Sequence, residues 1–175
     1  VTVLGATGVV GQRFVRRLAD HPDFELAHLC ASPRSAGKAY AEACDWRLDG
    51  EAYAGFGGKV LLPCDPAMAA SPVVFSALDT DAARELEPLF AAAGCLVFSN
   101  ASAFRMEADV PLLIPELNAD HLGLLELQRR LRGWKGGIVT NPNCTTAVLL
   151  GALGPLHRAY GAREVSAVSM QALSG

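Results

Sequence analysis

The sequence predicts an α/β protein whose first part is a Rossmann-like, doubly wound parallel sheet. Two observations lead to this fold class: short apolar runs alternate with helical patterns along the chain, and a glycine motif follows the first run. The chain of 175 residues is 51% hydrophobic and 19% charged, a composition that can fill a proper core. We therefore expect strands that are buried on both faces and a ligand site at their carboxyl ends.

The individual elements follow from local patterns. The first apolar run ends at a glycine turn, and the first helical pattern places Val10, Phe14 and Leu18 on one face. We expect Pro88 to kink or divide its helix, Asn118 to cap one, and Gly154-Pro155 to break or bend one. Residues 33–58 are not assigned. The predicted strands are 1–4, 25–31, 73–77, 95–99, 137–140 and 164–170, and the predicted helices are 9–19, 79–93, 118–132 and 144–160.

The organisation predicted from these elements is one domain and part of a second. Residues 1–143 form a dinucleotide-binding domain, and 144–175 begin an α/β catalytic and dimerisation domain. The first residue is not Met and lies by pattern inside a predicted strand, and the last residues show no terminal helix or polar tail. We therefore expect the chain to be a piece of a longer protein.

Composition narrows the partners and the compartment. A net charge of −3 gives no reason to expect nucleic acid or an anionic membrane as a partner. No uncharged apolar run approaches the roughly 20 residues that span a bilayer, and no signal peptide is recognisable. The five cysteines are scattered without a Cys-x-x-Cys pair, which suggests neither a metal site nor a disulfide framework. These features predict a cytoplasmic protein.

The glycine motif is Gly5-Ala6-Thr7-Gly8-Val9-Val10-Gly11, between the first strand and the first helix. Glycines at such a turn let backbone N–H groups approach a pyrophosphate, which the helix N-terminus also attracts. The spacing is less common than G-x-G-x-x-G, but its strand-turn-helix context strengthens it. The alternative is a glycine turn that only packs the helix on the sheet.

The segment after the second strand reads Ser32-Pro33-Arg34-Ser35-Ala36-Gly37-Lys38. NAD enzymes usually place an acidic residue here to bind the ribose 2′-hydroxyl. This segment has no acid and several hydrogen-bond donors, which suit a 2′-phosphate, so NADP is the predicted cofactor. The alternative is a solvated polar loop.

A cysteine begins the last predicted helix, in the motif Thr140-Asn141-Pro142-Asn143-Cys144-Thr145-Thr146. The positive end of the helix dipole favours the thiolate of Cys144, and nearby backbone N–H groups with the Asn143 side chain could hold an oxyanion. Most cysteines are inert core residues, which remains the alternative here. We interpret Cys30, Cys64 and Cys95 in that way.

These motifs occur in a series of segments that together resemble the aspartate-semialdehyde dehydrogenase family, most closely its archaeal and fungal branch. The matching covers the whole chain, which makes it more specific than any single motif. The segments are 5–14, 31–38, 74–78, 98–106, 109–118, 141–146 and 170–175.

The resemblance implies a role for each matching residue. Cys144 is the nucleophile that forms a thioacyl intermediate, and Arg105 binds the acyl phosphate and the inorganic phosphate. Gln171 touches the substrate, as Asn143 is expected to do. The cofactor contacts are Gly5, Thr7, Gly8, Val9, Val10 and Gly11 at the pyrophosphate, Ser32, Arg34 and Ser35 at the 2′-phosphate, and Ser76, Ser174 and Gly175 elsewhere.

The implied reaction is the NADPH-dependent conversion of L-aspartyl 4-phosphate into L-aspartate 4-semialdehyde and phosphate, which serves lysine, methionine and threonine synthesis. The resemblance also implies a homodimer or homotetramer. The family's general-base histidine is not recognisable, because His21, His28, His121 and His157 all lack its surrounding motif.

Three alternatives stay open at this point. N-acetyl-glutamyl-phosphate reductase shares the scaffold but usually carries its nucleophile in Gly-Cys-Tyr-Pro. Malonyl-CoA reductase resembles the same branch, although its thioester substrate would need no phosphate site at Arg105. A non-catalytic NADP-binding module is the third.

Overall fold

The computed structural model describes residues 1–170, which form an α/β structure around one parallel sheet. The strands are Thr2–Leu4 (β1), His28–Ala31 (β2), Leu62–Pro63 (β3), Val73–Ser76 (β4), Leu96–Ser99 (β5) and Gly137–Thr140 (β6). The helices are Val9–Leu18 (α1), Tyr40–Ala43 (α2), Pro66–Ala69 (α3), Thr80–Ala92 (α4), Pro115–Asn118 (α5), Leu124–Arg132 (α6) and Cys144–Tyr160 (α7), with 3-10 turns at Ala52–Gly55 and Ala119–Gly123.

The sheet has the strand order β3-β2-β1-β4-β5-β6, and each neighbouring pair is parallel. The order reverses between β1 and β4, so the chain loops that follow these strands diverge and leave a crevice at their carboxyl ends. This confirms the predicted fold class. The reversal point positions the site described below.

Strand residues alternate between two apolar cores, one on each face of the sheet. Leu4 and Val97 pack with Phe90 of α4 on one face, while Val3 and Leu29 pack with Val15 of α1 on the other. All six side chains are fully buried. Burying apolar side chains of this size contributes roughly 1.5–3 kcal/mol each to folding, which is why the sheet and these two helices form a fixed unit.

Neither of the two prolines divides its helix. Helix α4 runs through Pro88 and helix α7 runs through Pro155, each as one element. In α4 the buried residues Ala83, Phe90 and Ala91 lie on both sides of the proline and pack on the sheet. This packing offsets the hydrogen bond that proline removes, which is why the helix is not divided.

Two further local predictions are wrong. Asn118 ends α5 instead of capping a long helix, because its side chain accepts from Ile114 N at 2.8 Å and donates to Leu112 O at 2.9 Å. The next helix begins only at Leu124. Residues 164–170 are exposed and have no regular secondary structure, since no strand of the described chain lies beside them to supply hydrogen bonds. The predicted second strand begins at His28, three residues late.

Candidate active site

The glycine turn between β1 and α1 lies at the reversal point of the sheet. Gly5 has a φ of +72°, and a Cβ on it would lie 2.7 Å from the carbonyl oxygen of Ala77. A Cβ on Gly11 would lie 2.1 Å from the carbonyl oxygen of Gly5. Only glycine allows both approaches, so α1 starts directly against the turn and its N-terminus faces the crevice.

Two buried side chains hold this turn from behind. The Tyr40 hydroxyl donates to the carbonyl oxygen of Ala6 at 2.9 Å, and Gln12 Nε2 donates to that of Thr7 at 3.0 Å. Gln12 also donates to Asp45 O and accepts from Arg47 N, both at 2.9 Å. Burial raises the pKa of Tyr40 further above its usual range, so its hydroxyl remains a donor at neutral pH.

A cleft of about 430 Å³ opens in front of the turn. Its lining combines Gly5, Thr7 and Gly8 of the turn with Ser32 after β2. The structure therefore brings together the predicted pyrophosphate turn and the start of the predicted ribose segment. It also adds residues that were not predicted, which follow the ends of β3 and β4: Cys64, Asp65, Leu78 and Asp79.

The segment after β2 forms a turn at the rim of this cleft. Ser35 N and Ala36 N both donate to Ser32 O, at 2.9 and 3.0 Å. Arg34 is exposed at this turn, and no ion pair engages it among the described residues. Its guanidinium is therefore available to an anion at the ribose end of the cleft.

Ser76, predicted as a cofactor contact, does not present its side chain to the cleft. The alternation along β4 turns its side chain into the core, where it is fully buried. Its hydroxyl interacts with the buried Glu87 carboxyl and does not line the cleft. The structure thus keeps the Ser76 hydroxyl away from a ligand, and the residues that follow it, Ala77 and Leu78, take the wall position.

A second cleft, of about 740 Å³, adjoins the first half of the glycine helix. Arg105, Asn143 and Cys144 line it together with Val10 of α1. Three residues that are distant in sequence, one after β5 and two after β6, therefore meet beside the nucleotide turn. The cleft thus contains three of the residues to which the sequence analysis gave substrate or nucleophile roles, and Val9 and Gly11 lie in the first turn of the adjoining α1.

Arg105 has part of its guanidinium engaged. Its Nη2 donates to the carbonyl oxygen of Asn100 at 2.8 Å, while its buried Nε has no hydrogen-bond partner among residues 1–170. A buried unpaired donor on a cation costs free energy unless a ligand completes it. An anionic group bound in the cleft would supply the missing acceptor.

The loop that carries Arg105 is anchored to α6. Arg132 forms a bidentate pair with Asp109 at 2.5 and 2.6 Å, and its guanidinium lies 5.1 Å from the centre of the Trp134 ring. Hydrogen bonds from Arg132 lower the pKa of Asp109. Gln128 donates to Asp109 O at 3.1 Å. These contacts fix one end of the loop.

Asn143 and Cys144 form the start of α7. Asn143 is the N-cap, and its Oδ1 accepts from Thr145 N at 3.0 Å, which leaves its Nδ2 as the donor for a ligand. Cys144 is the first residue of the helix and is exposed. The nucleophile predicted from sequence therefore does lie at a helix N-terminus.

Two asparagines in the cleft were not predicted. Asn141 Nδ2 donates to Asn100 Oδ1 at 2.7 Å, and both residues line the cleft. Because the backbone carbonyl of Asn100 accepts from Arg105, Asn100 links Arg105 to the segment that carries Cys144. Each asparagine directly follows a parallel strand, β5 or β6, and that position was the signal that could have identified them.

The cysteines divide by exposure. Cys30, Cys44 and Cys95 are buried, as expected of inert core residues, and burial raises the pKa of Cys44 and Cys95. Cys64, which was interpreted in the same way, is only partly buried and lines the nucleotide cleft. It lies there because β3 is a short edge strand that ends just before it.

Several other predictions concern absences or lie outside these residues. Residues 1–170 contain no cluster of three acidic, histidine or cysteine side chains that could hold a metal ion. The helices in this range are all too short or too polar to cross a membrane. Gln171, Ser174 and Gly175 lie outside the described residues.

Fold and site together define a class: a Rossmann-type dinucleotide-binding domain with an exposed cysteine, at the start of a helix, in a cleft beside the glycine turn. The family is shown by a family profile, described as semialdehyde dehydrogenase, NAD binding domain, which matches residues 1–125. The chain belongs to this family.

Individual relatives agree with this assignment. An aspartate-semialdehyde dehydrogenase of Archaeoglobus fulgidus is 55% identical over 175 residues, which are all of this chain and 51% of that protein. A malonyl-CoA reductase (NADP) of Metallosphaera sedula is 38% identical over 99% of this chain and 48% of its own length. The crystal structure of a Candida albicans aspartate semialdehyde dehydrogenase with NADP superposes with a TM-score of 0.80 at 40% identity, covering 92% of this chain and 47% of that one. The chain spans about half the length of these relatives.

Proposed function

We propose that the protein containing this chain is an NADP-dependent aspartate-semialdehyde dehydrogenase. The observation that carries the proposal is one cleft in which Arg105, Asn143 and Cys144 meet beside the glycine turn. The archaeal relative of that name, 55% identical over the whole chain, supports the choice of substrate.

The residues present fit NADP. The turn at Gly5 and Gly8 opens on a cleft of about 430 Å³, and exposed Arg34 stands at its ribose end beside Ser35. A guanidinium binds a 2′-phosphate through charge-assisted hydrogen bonds. The Candida albicans structure contains NADP, which supports the same cofactor here. When bound, NADPH supplies the hydride.

Cys144 performs the covalent step. Its thiolate sulfur attacks the acyl carbon of aspartyl phosphate, and the bond from that carbon to the phosphate oxygen breaks as phosphate leaves. Arg105, a cation that lines the same cleft as Cys144, holds the phosphate before and after this step. The Asn143 Nδ2 and the positive end of the α7 dipole stabilise the oxyanion. Reduction of the thioester then returns the thiolate and gives the aldehyde.

The remaining assignments are proposals on the same basis. We place Gln171 at the substrate and Ser174 and Gly175 near the nicotinamide, and we keep the boundary between the two domains at residue 143. The complete enzyme is proposed to be a cytoplasmic homodimer or homotetramer in lysine, methionine and threonine synthesis. The four described cysteines that are not exposed carry no disulfide, which suits a reducing compartment.

Malonyl-CoA reductase is the second candidate, because the Metallosphaera sedula relative is 38% identical over nearly the whole chain. The two reactions differ at Arg105. Aspartyl phosphate releases phosphate, which needs an anion site beside the thiol, whereas a CoA thioester releases a thiol.

The test uses the complete protein. Oxidation of aspartate semialdehyde with phosphate and NADP is measured beside reduction of malonyl-CoA with NADPH. We expect turnover of the first substrate only, and Arg105→Ala should raise the KM for phosphate by about 10- to 150-fold, the loss of a charged hydrogen bond. Arg130→Ala, an exposed arginine on α6, is the matched control. Preferential reduction of malonyl-CoA would overturn the proposal in favour of the second candidate.

A further inference from the structure

The nucleotide cleft contains a thiol that the proposed reaction does not use. Cys64 directly follows β3 and lines the cleft together with Gly5, Ser32 and Pro33. Its side chain is partly buried, and its Sγ lies 3.7 Å from the carbonyl oxygen of Ala31. A ligand that fills the cleft would therefore cover this sulfur.

A second cysteine lies beneath it, on the neighbouring strand. The parallel register pairs Cys30 of β2 with Leu62 of β3, so Cys64, two residues further on, lies on the same side of the sheet. Cys30 is fully buried, and Cys64 packs against the same core cluster that contains it. Cys64 can thus be reached from the cleft, while Cys30 is closed to solvent.

These surroundings favour the thiolate of Cys64. The hydrogen bond from Cys30 lowers the pKa of Cys64 most, burial opposes it, and the backbone N–H of Gly5 lowers it further. The same contact and burial raise the pKa of Cys30. Because the thiolate is the nucleophile, Cys64 should react faster than Cys95, the pKa of which burial raises.

We propose that Cys64 is a modification site, at which a small disulfide or electrophile adds and thereby closes the nucleotide cleft. In the disulfide reaction the Cys64 sulfur attacks one sulfur of the reagent, a new S–S bond forms, and the other half leaves as a thiolate. Cys64 is oxidised and the reagent is reduced. The attached group occupies the space between Gly5 and Ser32, so adduct and nucleotide exclude each other.

This inference rests on the proposed nucleotide site, and its test separates the two. The protein is treated with 4,4′-dithiodipyridine, with and without adenosine 2′,5′-bisphosphate, a ligand without nicotinamide. Peptide mass spectrometry gives the rate at each cysteine. We expect Cys64 to react more slowly than exposed Cys144 but faster than Cys30, Cys44 and Cys95. Ligand at 100 times its Kd should slow Cys64 about 100-fold, because only the free cleft reacts, and leave Cys144 unchanged.

Two variants complete the experiment. Cys64→Ser should have the same affinity for the bisphosphate after treatment with the reagent as it has before treatment, whereas Cys95→Ser, the buried control, should lose binding on treatment as the unaltered protein does. Cys30→Ala should move the pH profile of the Cys64 reaction upward. Normal binding of the bisphosphate with unprotected or unreactive Cys64 overturns this inference alone. Failure of the untreated protein to bind it overturns the nucleotide site and this inference together.

Discussion

The nucleotide cleft differs in its packing from residues 140–146, the segment that carries the proposed nucleophile Cys144 and is called the nucleophile segment below. The glycine turn is braced by the fully buried Tyr40 and Gln12, each hydrogen-bonded to a carbonyl of the turn. Cys144, by contrast, begins a helix in which no residue is buried in the described structure, with Val148 79% and Tyr160 85% exposed.

This difference indicates that residues 1–175 can support nucleotide binding more readily than acyl transfer. A nucleotide site made of backbone N–H groups needs only a rigid turn, and the sheet around the turn supplies the rigidity. Acyl transfer needs the thiol, its base and its substrate anchors to be held together, since such groups act as a unit. None of the described histidines lines the cleft that holds Cys144.

The largest effect should separate binding from turnover. The 175-residue chain is expected to bind NADP but to oxidise aspartate semialdehyde at least about 10²- to 10⁴-fold more slowly than a complete homologue, the usual contribution of a general base. Calorimetric titration with NADP and a steady-state assay with semialdehyde, phosphate and NADP measure the two properties on one preparation.

Turnover by the 175-residue chain at a rate close to that of a complete homologue would contradict this contrast between the two sites. It would mean that His21, His28, His121 or His157 supplies the base, and that the nucleophile segment is as complete as the nucleotide cleft. Failure of the chain to bind any nucleotide would also contradict it, because the glycine turn held by Tyr40 and Gln12 would then not be sufficient for binding.

The second effect concerns the rim of the nucleotide cleft. Arg34→Ala should weaken NADP binding by about 10- to 150-fold, because one charge-assisted contact to the 2′-phosphate is lost, and should leave NAD binding unchanged. Titration of both nucleotides decides the matter, with Arg17→Ala on the exposed face of α1 as the control. Equal affinities for NAD and NADP in the unaltered chain would count against the assignment.

The third effect concerns Tyr40, whose hydroxyl donates to the carbonyl oxygen of Ala6 in the glycine turn. Tyr40→Phe removes one buried hydrogen bond and should weaken NADP and NAD alike, by about 2- to 10-fold, with a similar loss of about 0.5–1.5 kcal/mol in the free energy of unfolding. Tyr53→Phe is the matched control, since its ring packs 5.8 Å from that of Tyr40. A loss of stability with unchanged nucleotide affinity would show that Tyr40 stabilises the fold without positioning the turn.

The smallest effect is a pH dependence in the core between β4 and β5. Burial raises the pKa of Glu87, whose Oε1 accepts from the Ser99 hydroxyl at 2.7 Å. A carboxyl whose pKa is raised on folding binds its proton more tightly in the folded state. The contribution of Glu87 to the free energy of unfolding is therefore complete below its pKa in the unfolded chain, about 4.3. It is lost as the pH rises through its pKa in the folded protein.

Glu87→Gln keeps the shape and cannot ionise. Its stability relative to the unaltered chain should increase between about pH 4 and pH 7, as measured by urea unfolding at several pH values. A difference that stays constant with pH would show that Glu87 does not titrate differently in the folded and unfolded states. In that case the core behind the nucleotide cleft would not be the low-dielectric region inferred here.

The sequence alone was enough to predict the fold class and the segments that form the two clefts. The alternation of apolar runs and helical patterns predicted the parallel sheet, and the motifs at Gly5 and Cys144 predicted where the two clefts lie. These features depend on neighbouring residues, because a strand, a tight turn or a helix start is formed by a short segment. The order of β1 and β4 then brings the segments together.

Only the tertiary structure decided the contacts that join distant segments. Tyr40 reaches Ala6 across 34 residues, Asn141 reaches Asn100 across 41, and nothing local in the sequence marks either pair. The exposure of Cys64 and the burial of Ser76 likewise depend on which strand lies at the edge and which face meets α4. A side chain's partners and its access to solvent are set by the packing of the whole sheet, so they cannot be read from the residues beside it.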